Sequence, residues 1–153
     1  MAATRLEVHI NAPRASVYRA LLDAHAVSTW MVPTGMTSRV HSFEPRVGGK
    51  FRISLTYDAP ELGTGKTSAQ TDTFHGRFVE LEQDRRVVQG IEFETDQPEM
   101  QGEMLVTYAL ADKDGGTLLT AVHEGVPPGV SPADNELGWR LSLGKLAALV
   151  EGR

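Results

Sequence analysis

Residues able to move protons or hold metals are plentiful in this chain, but none falls into a spacing that defines a reaction. Five histidines, His9, His25, His41, His75 and His123, form no HxH or HExxH pattern, so no helix turn or strand face offers a metal two imidazoles. The chain has no cysteine, which excludes thiol nucleophiles, thiolate metal sites and disulfides. No serine carries the flanking glycines of a Gly-x-Ser-x-Gly elbow. Glu92 and Glu94 share one strand face, as acid–base carboxylate pairs do. Ile91 and Phe93 claim the opposite face for the core, which leaves the two glutamates on a solvated edge. Gly65-Lys66-Thr67 ends like a phosphate loop, but Pro60 stands where the first glycine is required. Asp112 and Asp114 before Gly115 open like a calcium loop, but His123 occupies the place of the bidentate Glu, and a hairpin turn accounts for the run.

The remaining chemistry is of a different kind: isolated polar groups on apolar strand faces. Alternation puts His123 beside Leu119 and Ala121, Gln89 with Val87, Ile91 and Phe93, Tyr108 with Met104, Val106 and Leu110, and Tyr57 with Phe51, Ile53 and Leu55. Four such handles among hydrocarbon suit the orientation of an apolar ligand. Trp30, Phe51, Phe74, Phe93 and Trp139 either fill a core or line a cavity, with Ile53 and Leu143 on the same faces. The expected ligand-binding set is therefore Trp30, Phe51, Ile53, Tyr57, Phe74, Gln89, Phe93, Tyr108, His123, Trp139 and Leu143. No catalytic residue, metal site or cofactor is expected. A proton-transferring role for His123 or Tyr108, in a cyclase or hydratase, is the enzymatic alternative.

The elements that must position these groups follow from periodicity. Arg5 to Ile10 alternates as a strand. Asn11 is expected to cap a helix with Pro13 in its first turn and Val17, Tyr18, Leu21 and Leu22 as its apolar face, and Asp23 to start a second short helix ending near Pro33. Strands then follow over Ser38 to Phe43, Lys50 to Tyr57, Thr71 to Leu81, Arg85 to Glu94, Gly102 to Leu110 and Gly116 to Glu124, in antiparallel, hairpin-connected order. The longest break, Asp58 to Gln70, is an exposed loop that either folds over a pocket mouth or hangs free. Ser131, Pro132 and Asp134 announce a last helix. Trp139, Leu143, Leu146 and Val150 give it one face, and Leu137, Leu141 and Leu149 widen the apolar coverage, implying cover on more than one side. Gly138 and Gly144 cost helix propensity there, and close packing against strands would explain them. Leu118, Thr120 and Val122 make the last strand apolar on its second face too. That face needs a cover, either a homodimer partner or the N-terminal elements.

At 153 residues, 41% hydrophobic and 23% charged, one globular domain spanning 1–153 is expected, large enough for a core without metal or disulfide staples. Fifteen Lys plus Arg against twenty Asp plus Glu leave a net charge of −5, the wrong sign for nucleic acid. No segment approaches the ~20 apolar residues of a membrane span, and the N-terminus lacks a signal-peptide core. A cytoplasmic protein is expected.

Several stretches then match a known pattern in order along nearly the whole chain: Val17-Tyr18-Arg19-Ala20-Leu21, Trp30, Val47-Gly48-Gly49-Lys50-Phe51, Gly76-Arg77-Phe78-Val79-Glu80-Leu81, Gly116-Thr117, His123-Glu124-Gly125 and Gly138-Trp139. The chain resembles the START-like, helix-grip superfamily (SRPBCC), which includes polyketide cyclases and the birch-pollen allergen, and within it the branch related to the activator of the ninety-kilodalton heat-shock-protein ATPase. The resemblance implies an α+β fold, with a curved antiparallel sheet of six to seven strands wrapped around a long C-terminal helix and two short helices after the first strand. It also implies a ligand space between sheet and helix. Members bind lipids, hormones or polyketides, catalyse cyclisation or touch a chaperone, so a chaperone-related interaction module is a further alternative. The resemblance carries no catalytic residue onto this sequence.

Overall fold

The computed structural model describes residues 3–58 and 70–152. Its elements run β1 (Ala3–Ile10), α1 (Arg14–Leu21), α2 (Ala24–Trp30), β2 (Met36–Phe43), β3 (Lys50–Tyr57), β4 (Thr71–Glu82), β5 (Arg86–Phe93), β6 (Met104–Lys113), β7 (Gly116–Glu124) and α3 (Pro132–Glu151). The seven strands form one antiparallel sheet in the order β1-β7-β6-β5-β4-β3-β2. Strands β2 to β7 are thus a meander. Only β1 leaves sequence order, and α1 and α2 carry the chain from that edge of the sheet to the other. This is the helix-grip arrangement, α+β.

Local chemistry explains the boundaries. Asp23 accepts hydrogen bonds from the amides of His25 (2.8 Å) and Ala26 (3.3 Å), starting α2. The Ser131 hydroxyl accepts from the Asp134 amide at 3.3 Å, starting α3. The β6–β7 hairpin turns at Asp114 and Gly115, both at positive φ (49° and 78°), the pairing of a type I′ turn. Asn11 does not cap α1. Pro13 takes that position without a side-chain bond, while the Asn11 amide donates to Glu151 at the far end of α3, 2.7 Å away.

Two stretches of the sequence pattern are one unit in space. Gly48 donates its amide to the Phe78 carbonyl (2.8 Å), and Phe78 donates to Gly49 (2.9 Å). Gly48 sits at φ 81°, which glycine adopts without strain. In the same register Phe51 faces Gly76 across β3 and β4, and a Cβ on Gly76 would lie 2.6 Å from the Phe51 ring.

The inner face of the sheet supplies the core, with Phe51, Ile53, Phe74, Phe78, Val87, Met104, Val106, Tyr108, Leu119 and Ala121 buried against Val17, Leu21, Trp30, Leu143 and Leu146. Three expectations need correction. Leu137, Leu141 and Leu149 are exposed (56%, 40% and 39%), so α3 is covered on one side only. Gly144 is exposed, and a Cβ there would meet nothing within 4 Å, so close packing does not explain it. Leu118, Thr120 and Val122 are half-buried on the outer face, with β1 lying beside β7 in the sheet rather than over it.

Candidate functional site

Helix α3 has its close backbone neighbours in β1, α1 and α2. Over the rest of the sheet it stands off, and the space left between them is a cavity of about 380 Å³, within the ~300–1,000 Å³ of small-molecule sites. The cavity occupies one end of the sheet. Its strand residues come from the start of β2 (Met36), the end of β3 (Leu55, Tyr57), the start of β4 (Asp72, Phe74), the end of β5 (Ile91, Phe93), the first half of β6 (Met104, Val106, Tyr108) and the end of β7 (His123). Helix α3 and the segment after α2 close the other side with Asn135, Gly138, Trp139, Ser142, Leu143, Pro33 and Thr34.

Of the residues expected from sequence, Trp30, Tyr57, Phe74, Phe93, Tyr108, His123, Trp139 and Leu143 line this space. Phe51, Ile53 and Gln89 do not, because they lie further along their strands, away from the open end. Phe51 packs on Phe78 and Phe43, ring centroids 5.3 and 6.3 Å away. Ile53 is 1% exposed, in register with Phe74 and Val40. Gln89 is 2% exposed between Phe78 and Val106, and its Oε1 has no hydrogen-bond partner among the described residues. Alternation identifies the inward face correctly and says nothing about position along it.

One wall is aromatic. Trp139 lies parallel to Tyr108 (5.9 Å, 2°) and nearly parallel to His123 (4.9 Å, 19°), while Trp30 meets Tyr108 edge-on (6.2 Å, 88°). Trp30 is fixed by its indole N–H, which donates to the Ala20 carbonyl at 3.0 Å. His123 is bound on both nitrogens by side chains. Asn135 Nδ2 lies 3.2 Å from Nδ1 and also reaches Thr4 Oγ1 at 3.4 Å, and Met104 Sδ lies 3.1 Å from Nε2. An amide N–H facing Nδ1 and a thioether facing Nε2 select the neutral tautomer with its hydrogen on Nε2. Burial lowers the His123 pKa to about 4, so the ring is uncharged at neutral pH. Burial likewise holds Tyr108 protonated well above the ordinary phenol range.

The rim has another character. Asp134 is exposed, Asp72 lies deeper at 5% exposure, and no lysine or arginine is among the described lining residues. Burial first, then the charges of Asp72 and Asp134, raise the Tyr57 pKa. Leu137 and Leu141 complete the mouth. Sequence reasoning missed Asp72 although period two from Phe74 places it on the same face. Asn135 and Met31 carry no such signal, since helix placement alone brings them in.

Chemically, this site can stack, hydrogen-bond and exclude water. A base of pKa about 4 and a phenol locked in its neutral form are weak proton-transfer groups at pH 7. Among the described residues no cluster of three or more His, Asp or Glu could hold a metal, and no helix is long and apolar enough to cross a membrane. A second depression, between α1 and the β4–β5 turn around Tyr18, Arg19, Asp23 and Asp84, is a shallow surface groove. The loop expected as a lid and Gly65-Lys66-Thr67 fall within residues 59–69, outside the described residues.

A family profile described as Activator of Hsp90 ATPase homolog 1-like protein matches residues 11–151. Among solved structures, a Chromobacterium violaceum protein is 36% identical over 97% of this chain and 96% of its own, with a TM-score of 0.86. An Arthrobacter aurescens protein (14% identity, 99% and 87% covered, TM-score 0.82) and an AHSA1-like protein from Aeromonas hydrophila (19%, 99% and 93%, 0.72) share the fold. No functionally curated protein matches the chain.

Proposed function

The chain belongs to the Activator of Hsp90 ATPase homolog 1-like family, a branch of the START-like helix-grip superfamily, and on that premise we propose that it binds a small hydrophobic or aromatic molecule between its sheet and α3. The supporting observation is the 380 Å³ space lined by Trp30, Phe74, Phe93, Tyr108 and Trp139, which α3 leaves open instead of filling. Burial of apolar ligand surface at ~25 cal/mol per Å² supplies several kcal/mol without a charged anchor. The family supplies the fold, and the lining residues supply the reading of what enters it.

A neutral fluorescent probe such as phenylnaphthylamine tests this directly. Saturable binding with one site per chain, accompanied by quenching of tryptophan emission through Trp139, is the expected outcome, and Trp139→Leu should weaken it about tenfold or more. A flat titration with the folded protein would end the ligand-binding reading.

A further inference from the structure

Resting on the ligand-binding reading, we propose that the ligand is an uncharged aromatic compound bearing a carbonyl oxygen, which accepts a hydrogen bond from the Tyr108 hydroxyl with His123 Nε2–H as a second donor. Both side chains are at least nineteen-twentieths buried and both line the cavity. Register places them on neighbouring positions of one face, because Val106 pairs with His123 and Tyr108 with Ala121. They lie under the same indole, that of Trp139.

The donors lack strong acceptors. No described residue hydrogen-bonds the Tyr108 hydroxyl. The partner of His123 Nε2–H is the Met104 thioether, a weak acceptor on a flexible side chain. A ligand oxygen can engage both groups, whereas a ligand N–H could donate only to the Tyr108 oxygen and would meet the hydrogen on His123 Nε2.

The charge of the lining sets the second half of the assignment. A carboxylate ligand would pass the exposed Asp134, and no lysine or arginine is among the described lining residues to receive it. An ammonium ligand would be drawn to the mouth, but further in it would face His123 Nε2–H and lose its hydration among aromatic walls. A neutral carbonyl suffers neither penalty, and its flat body can lie along Trp139 and Trp30.

Four probes of one shape separate the outcomes: acetylnaphthalene, ethylnaphthalene, naphthoate and naphthylmethylammonium, titrated calorimetrically into the intact protein. Acetylnaphthalene should bind about tenfold tighter than ethylnaphthalene, with both ions weaker than the ketone. Tyr108→Phe should remove most of that advantage, and a thermal melt with near-ultraviolet circular dichroism like the wild type's shows that the variant is folded. Equal binding of ketone and hydrocarbon, an ion that binds tightest, or a ketone advantage untouched by Tyr108→Phe would each overturn the assignment while ligand binding stands. Failure of all four to bind would remove the ligand-binding reading itself and this assignment with it. Nitrogen-15 spectra of the His123 ring give an independent check. The Nε2–H tautomer, with its proton shifted by the ketone, is expected, and an Nδ1–H ring would contradict the donor assignment.

Discussion

His123 links the site to the stability of the whole chain. Unfolded, its imidazole takes a proton near the ordinary histidine pKa of about 6.5. Folded, burial defers protonation to about pH 4. Between those values the folded state binds fewer protons than the unfolded state, so acid favours unfolding. Its contribution is complete above about pH 6.5, declines as the pH falls, and is exhausted near pH 4, amounting to roughly 3 kcal/mol. Urea titrations across that range should show the slope in the wild type and a flatter one in His123→Gln. The same shift keeps the His123 ring uncharged from about pH 6 to 8, so its protonation should not alter ligand affinity there, as probe titrations at the two ends of that range would read.

Helix α3 shows how one element can be stable and still leave room. Ser131 caps its start, Leu143 and Leu146 are buried in the core, and its close neighbours are β1, α1 and α2, while Trp139 stacks over the aromatic wall. Gly144 contributes nothing to either task, being exposed with open space around its Cα. Gly144→Ala should therefore raise stability by about 0.5–1 kcal/mol through helix propensity alone and leave probe binding untouched, as read by thermal melts with and without ligand. Gly138 is a different case, because it lines the cavity with Pro33 nearby.

Across the whole molecule, a few polar bonds hold α3 in place against the elements around the cavity. Lys145 Nζ on α3 donates to the Val32 carbonyl at 2.6 Å, immediately before Pro33 and Thr34 of the cavity wall. Asn135 joins α3 to His123 of β7 and Thr4 of β1. Lys145→Met removes the first tie while keeping the aliphatic stem. It should cost about 1 kcal/mol, given the half-exposed setting, and weaken phenylnaphthylamine binding several-fold by loosening the wall. Loss of stability with unchanged affinity would show the tie to be structural only.

Local patterning determined most of the architecture. Period-two alternation located β1 to β7 and their inward faces, with β3 and β7 at the bounds later observed. The Ser131-Pro132 start located α3, and Asp114-Gly115 marked the β6–β7 turn. These features rest on interactions within a few residues or on a repeat that the chain itself displays. Tertiary structure alone decided that the cavity lies at one end of the sheet, so that Tyr57, Phe74 and His123 line it while Phe51, Ile53 and Gln89 lie outside its lining. The same holds for Asn135 meeting His123, and for Asp72 joining the lining. Those outcomes depend on where α3 rests across the sheet. That placement is set by the packing of α3 against β1, α1 and α2, residues more than a hundred positions away in the chain for which no local period carries a signal.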